Sequence, residues 1–325
     1  MSTTRSKAFF MNGGAGRVLC SIPALEKYAE ESGDKDFIIV CEGGTEFYKG
    51  HPLLDAKAYD SWQKNIFQDK LKNMDLVSPE PYRVWEYFNQ KCSLAQAFDI
   101  EINNAGVREL PLPALILSRE EELSGAKIID EVKMGLKKEK IVVFQPFGRG
   151  IGDNNGTLSD PSGRSVEHDS VISLIKKLQD DNWGVLMMSE LKIDTKQTEL
   201  QEEIAQPEGA TLRDFAAIIK SADMFIGCDS VGQHMSKALD IPTISILGST
   251  YPINVSYPET DRYKVVDLGE GSRQYSPIRI VQDEAVDRAN ERLMYMTAEI
   301  EDYVIDEAKS LYKATKSTTA KLLLK

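Results

Sequence analysis

Three stretches of this chain bring together residue types suited to a phosphorylated small molecule. The longest runs from Ala222 through Cys228-Asp229-Ser230-Val231-Gly232-Gln233-His234 to Thr250. An apolar run ends at Cys228, and a polar turn at Asp229, Ser230 and Gly232 then opens a helix. A helix start leaves backbone N–H groups unpaired and carries the positive end of the helix dipole, so it attracts phosphate. Asp229 or Ser230 can equally be an ordinary N-cap, and the residues alone leave both readings open. His234, one turn into the helix, can donate a hydrogen bond to a phosphate. A second stretch, from Arg149 to Arg164, is polar and glycine-rich with an arginine at each end. Its Asp153-Asn154-Asn155-Gly156 reads as turn chemistry. The planar guanidinium fork bonds two phosphate oxygens at once. Glu190, after the apolar run 183–188, is a carboxylate that can accept bonds from a ribose. The third stretch is the loop Asn12-Gly13-Gly14-Ala15-Gly16-Arg17, which lacks the G-x-G-x-x-G spacing of a dinucleotide site.

These residues need strands and helices to hold them. Ala8–Met11 and Phe37–Cys41 read as buried strands. Between them apolar residues recur every three or four positions from Val18 to Ala29, which predicts a helix ending at Gly33. Strand, glycine turn, helix, strand is a parallel βαβ unit. Strands are further expected at 74–77, 140–144, 183–188, 223–228, 242–247 and 263–268. Helices are expected from Pro81 through Phe88, at 167–179, near 198–205, at 212–221, at 232–240 and from about 283 to 312. The proline-marked segment Glu109–Pro113 reads as a connector, with the domain boundary after it. The division expected is 1–137, 138–282 and a C-terminal helical segment 283–325 that packs back on the first domain.

At 325 residues, the length suggests two domains with cores large enough to need no staples. No apolar run approaches the ~18 residues of a membrane span. Nothing at the first residues reads as a signal peptide, so a cytoplasmic location is expected (the host cytoplasm for a viral protein). A formal net charge of −12 argues against broad nucleic-acid binding, though it does not exclude a local basic cleft. The four cysteines form no C-x-x-C pair and are read as reduced and structural. With three histidines, of which His51 and His168 are read as surface residues, a His/Cys metal centre is not expected. The single Asp-x-Asp, Asp34-Lys35-Asp36, precedes a strand and reads as a solvated turn.

The stretch from Thr211 to Pro252 resembles glycosyltransferase family 9, the bacterial lipopolysaccharide heptosyltransferases. The family pattern is a strand, Asp-(Ser/Thr)-Gly-x-x-His, a small-residue helix, a Pro-led strand and a Gly-x-Thr turn. Asp229, Ser230, His234, Pro242, Gly248 and Thr250 keep these marks, while Val231 stands where the family has glycine and Gly232 is shifted by one. The N-terminal loop is similar to the family opening and keeps its Pro-Ala-Leu at Pro23-Ala24-Leu25. Arg17, however, stands where the family has an Asp proposed as catalytic base. An arginine cannot be that base at neutral pH. Glu42, after the second strand, is the substitute, and Arg17 would bind an anionic phosphate beside it.

The resemblance implies an α/β protein of GT-B type: two Rossmann-like domains facing each other across a cleft, with the nucleotide-sugar in the C-terminal one. The donor set would be Arg149, Arg164, Glu190, Asp229, Ser230, Gly232, His234 and Thr250. The acceptor-side loop would be Gly13, Gly14 and Gly16. Such enzymes generally need no metal, so no cofactor is expected beyond the nucleotide-sugar substrate. The acceptor is a glycan or lipid-linked saccharide. The alternative is a hydroxymethylated base in DNA, as in bacteriophage enzymes of this fold, which would need the base flipped out. A reading of another class is a nucleotide-sugar-binding protein that has lost the base. No obligate protein partner is inferred.

Overall fold

A computed structural model describes residues 5–154, 157–160, 162–195, 198, 200, 202–273 and 292–323, without the side chains of 153, 154, 157, 159 and 318–323. The chain divides into two compact units, 1–118 and 119–325. Each is built on a parallel sheet, the two Rossmann-like domains expected.

The first unit contains β1 (Lys7–Met11), α1 (Ala15–Glu31), β2 (Ile38–Cys41), β3 (Ala58–Asp60), β4 (Asp75–Val77), α2 (Trp85–Phe88) and α3 (Leu94–Asn103). Its sheet order is β3-β2-β1-β4, all parallel. Helix α1 buries Val18, Leu19, Ile22 and Leu25, the face its spacing predicts. Helix α3, absent from the sequence reading, opens with a capping box. Ser93 accepts from the N–H of Gln96, and the Gln96 side chain accepts from the N–H of Ser93. Asp34 is more than a solvated turn residue, since it accepts from the Lys7 N–H at 2.9 Å and from the Tyr28 hydroxyl at 3.1 Å. His51 is also not on the surface. It is 3 % exposed, with Nε2 2.8 Å from Glu26.

The second unit runs α4 (Arg119–Leu136), β5 (Lys140–Gln145), β6 (Gly152–Asn154), β7 (Thr157–Ser159), α5 (His168–Asp180), β8 (Trp183–Met187), α6 (Leu212–Ser221), β9 (Met224–Cys228), α7 (Val231–Ala238), β10 (Thr243–Leu247), α8 (Pro252–Val255), β11 (Tyr263–Asp267) and α9 (Ala298–Leu323). The main sheet is parallel with order β11-β10-β9-β5-β8, and every residue of β8, β9 and β10 is buried. Such strands read as near-continuous apolar runs because helices cover both faces. The antiparallel pair β6–β7 occupies what was read as plain loop, and the expected turn at 155–156 lies outside the described residues.

Three expectations are corrected. The boundary falls after Ser118 and not at 137, because α4 packs on α6 of the second unit. A side chain at Gly125 would overlap the Ala217 carbonyl, so glycine lets the two backbones touch. Glu121 grips Arg213 through two bonds across the same contact. Helix α9 packs within the second unit: Glu301 accepts from Ser173 at 2.6 Å, and Tyr312 meets the buried Trp183 edge to face at 5.3 Å. The part of 283–312 before residue 292 lies outside the described residues. The expected helix near 198–205 is not one over residues 202–205, where Ala205 instead bridges the open edge of β8 through bonds with Val185 and Met187. Covering an edge strand is a common use of such a segment. The four cysteines are free and buried, and burial pushes the thiols of Cys41 and Cys92 up to about 12. Among the described residues, no helix is long and apolar enough to cross a membrane.

Candidate functional site

In an open parallel sheet, ligands sit beyond the carboxyl ends of the strands where the strand order reverses. In the second unit this point lies between β5 and β9, in the first between β1 and β4.

The β5–β9 crevice is floored by Gln145, the last residue of β5. Its carboxamide donates to Ser230 Oγ at 3.2 Å and accepts from the Gly232 N–H at 3.1 Å. Ser230 is the N-cap of α7 by backbone position, but its side chain makes no cap bond. The Gly232 N–H, expected to point at a phosphate, is thus held by a side chain from 87 residues earlier. A Cβ at Gly232 would overlap Gln145 Oε1 and the Phe225 ring. Glycine here serves close packing of the helix start on the sheet.

Beside this floor Asp229 is buried, and its Oδ1 accepts from Gln233 at 3.0 Å. Gln233, fully buried, accepts in turn from Ser245 Oγ and Tyr263 Oη at 2.6 and 3.1 Å. The network fixes the carboxylate that follows β9. Arg164 reaches it from the 148–165 loop, with Nη1 3.5 Å from the Asp229 carbonyl and 4.0 Å from its carboxylate. Its Nε donates to Ser162 Oγ at 3.1 Å. The loop is shaped by Asp160, which accepts from the N–H and hydroxyl of both Ser162 and Ser165. Burial would raise the Asp160 pKa, but these bonds and the charge of Arg164 hold it below the usual carboxylate range. Ser249, beyond β10, donates to the Ser162 carbonyl at 3.1 Å, which ties that strand end to the same loop. Next to it Thr250 is buried, and its hydroxyl has no partner among the described residues.

His234 lies in the first turns of α7, 5 % exposed, with Nδ1 3.0 Å from the Tyr257 hydroxyl and the two rings edge to face. Burial lowers its pKa to about 4, against the opposing pull of Asp229, so it is a neutral imidazole at pH 7.

Of the donor residues expected, the structure brings Arg164, Asp229, Ser230 and Gly232 together, with His234 deeper in the same helix and Thr250 at the next strand end. Arg149 and Glu190 are exposed, and Glu190 follows β8, on the far side of β5 from β9. Gln145, Asp160, Gln233 and Tyr257 were not anticipated. The Asp-x-Ser spacing of an Asx turn at 160–162 was the one local signal.

In the first unit the crevice is already filled. Arg17, in the first turn of α1, packs its stem beside Gly13 and donates from Nη2 to the Pro79 carbonyl at 2.6 Å, just beyond β4. Glu80 stands 3.8 Å away, and the rings of Tyr82 and Phe98 lie 5.3 and 5.7 Å from the guanidinium carbon. Arg17 thus ties the helix start to the residue beyond β4 through Nη2, while its Nε is buried without a partner among the described residues. Gly14 is the N-cap of α1, and Gly16 lies in its first turn. Glu42 is exposed beyond β2, on the other side of β1 from β4.

Two parallel Rossmann-like sheets in succession are the architecture of the GT-B fold. Residues 169–277, which span Asp229 to Thr250, match the profile of glycosyltransferase family 9 (heptosyltransferase). The chain carries a family 9 glycosyltransferase region and is a glycosyltransferase. No curated protein sequence matches it. Among solved structures it is similar in fold to a family 9 glycosyltransferase from Veillonella parvula (TM-score 0.66, 12% identity, 96% of this chain and 98% of that one). It is also similar to the E. coli ADP-heptose lps heptosyltransferase II (0.63, 12%, 96% and 99%). A third is the iron-containing dodecameric glycosyltransferase TibC of enterotoxigenic E. coli (0.55, 12%, 97% and 77%). Among the described residues, no group of three or more His, Cys, Asp or Glu is placed to hold a metal ion.

Proposed function

We propose that this protein transfers a sugar from a nucleotide-sugar to a saccharide acceptor by direct displacement at the anomeric carbon, without a metal. The reading rests on one observation, the grouping of Arg164 with the Asp229–Ser230 turn where the second sheet reverses its order. Arg164 is the cation that offsets the leaving diphosphate, and the start of α7 adds its dipole. Ser230 and the unpartnered Thr250 hydroxyl offer further bonds to phosphate or ribose. His234, neutral and bound to Tyr257, acts as a hydrogen-bonding group without charge. Glu42 takes the acceptor proton. The similarity in fold to the E. coli ADP-heptose lps heptosyltransferase II makes ADP the first nucleotide to test.

Thermal unfolding with ADP, UDP, GDP and CDP tests the donor site. One nucleotide at about 100 times its dissociation constant adds about 2.7 kcal/mol. A folded sample indifferent to all four would remove this reading. Glu42→Gln keeps the nucleotide response and lowers transfer about 10²–10⁴-fold. Full transfer by that variant would take the base away from Glu42. EDTA leaves transfer unchanged; loss restored by a divalent ion would end the claim of metal independence.

A further inference from the structure

The parallel register of the first sheet sets three polar residues in a row. Met11 pairs with Cys41 and Cys41 with Asp60, so Asn12, Glu42 and Ser61 are the first residues beyond three neighbouring strands at one level. Adjacent strands lie about 4.8 Å apart, so the row spans roughly 10 Å. Asn12 Oδ1 and Ser61 Oγ are buried without a partner among the described residues, in residues that are themselves half-buried. A polar atom left so forfeits a hydrogen bond that a ligand hydroxyl would supply. The Ser61 N–H is fixed on the Cys41 carbonyl at 2.8 Å, which anchors that end of the row to the sheet.

Trp62 follows directly. Its backbone N–H is pinned to Asp60 Oδ1 at 2.8 Å, while the residue is 80 % exposed. Tryptophan is normally highly buried, and one held outward beside a polar row is an unspent contact surface. No lysine or arginine stands in the row. Arg17, in the first turn of α1, is held at Pro79 and Glu80 on the other side of β1.

We infer that the row Asn12–Glu42–Ser61, with Trp62 beside it, binds a neutral saccharide as the acceptor, and that Trp62 is a specificity-determining residue. An apolar ring face stacks on the indole, and ring hydroxyls bond Asn12 and Ser61. One hydroxyl lies at Glu42, which can take its proton. In the row itself, the one charged group that a polyanion such as DNA or a phosphorylated saccharide would meet is the Glu42 carboxylate. The inference rests on the first unit being the acceptor side of the proposed transferase, and it narrows the acceptor class.

The test uses an array of neutral oligosaccharides, sialylated and phosphorylated oligosaccharides, and duplex DNA containing hydroxymethylcytosine. It is read with and without ADP on the full chain, Trp62→Ala and Trp85→Phe. Trp85 is also exposed (65 %) but lies beyond β4, and Trp183 is fully buried. The expected result is a neutral oligosaccharide bound by the parent and by Trp85→Phe, and bound about tenfold more weakly by Trp62→Ala. In Trp85→Phe, that saccharide shields the one exposed indole from acrylamide. Binding only to acidic glycans or DNA, equal binding by Trp62→Ala, or no glycan bound overturns the inference. The nucleotide response of the parent separates the two readings: a response without glycan binding sinks this inference alone, and no response sinks the donor reading.

Discussion

The two sheets each reverse their strand order once, and the two crevices so formed are used in opposite ways. Between β5 and β9, Gln145 lies low and seals the packing of sheet on helix, while Arg164 sits above with about a quarter of its side chain exposed. Between β1 and β4, a single long side chain, Arg17, reaches across to the Pro79 carbonyl and stands 3.8 Å from Glu80. Both crevices contain an arginine, but one guanidinium is placed against a turn that can hold a ligand and the other is absorbed into the fold. An arginine in a motif position is therefore not evidence of an anion site until its partners are known.

Gly232→Ala separates the two crevices most sharply. Its Cβ would overlap Gln145 and Phe225, so it should cost about 3 kcal/mol and abolish the nucleotide response. Gly14→Ala, at the N-cap of the other helix with nothing near the added methyl, should cost under about 1 kcal/mol. Denaturant melts of the two variants compare them directly, and equal losses would refute the packing account of Gly232.

The acid limb of stability should report on His234. Its folded pKa of about 4 lies below its ordinary 6.5, so the unfolded chain binds the extra proton. Stability is full above pH 6.5 and falls by up to roughly 3 kcal/mol as the pH drops to about 4. His234→Gln should flatten that limb between those values; an unchanged slope would mean that other groups carry it.

Arg164→Ala should weaken nucleotide binding about 10- to 100-fold with little change in stability, since it removes a charged partner of the ligand. Arg17→Met should do the reverse, costing about 1–2 kcal/mol of stability and leaving nucleotide affinity within about twofold. Calorimetric titration with the nucleotide that stabilises the protein, alongside melting curves, checks both. If Arg17→Met loses affinity instead, the contrast between the crevices fails.

Much of the second site was legible because its parts are local. A strand ending at Cys228, a polar turn and a helix containing His234 lie within a dozen residues, and their periodicity and turn chemistry fix them. Glu42 and the glycines of the first loop were legible as strand-end residues for the same reason. What failed were assignments that depended on who stands opposite. His51 looked solitary in sequence but is paired with Glu26 from α1. Residues 119–136, where no helix was expected, were assigned to the first domain, yet Gly125 and Glu121 fit the helix formed there to α6.

The sequence by itself determined the strand–turn–helix units, the placement of polar residues at strand ends, and the likeness to a known transferase family. These follow from spacings of two and 3.6 residues and from turns a few residues long. Only the tertiary structure decided that Gln145 takes the Gly232 N–H, that Arg17 stands against Glu80, and that Asn12, Glu42 and Ser61 stand in one row. Those pairings span 19 to 87 residues. Strand order and register set them, because a parallel neighbour is joined through a long crossover whose local pattern carries no record of which strand it will lie beside.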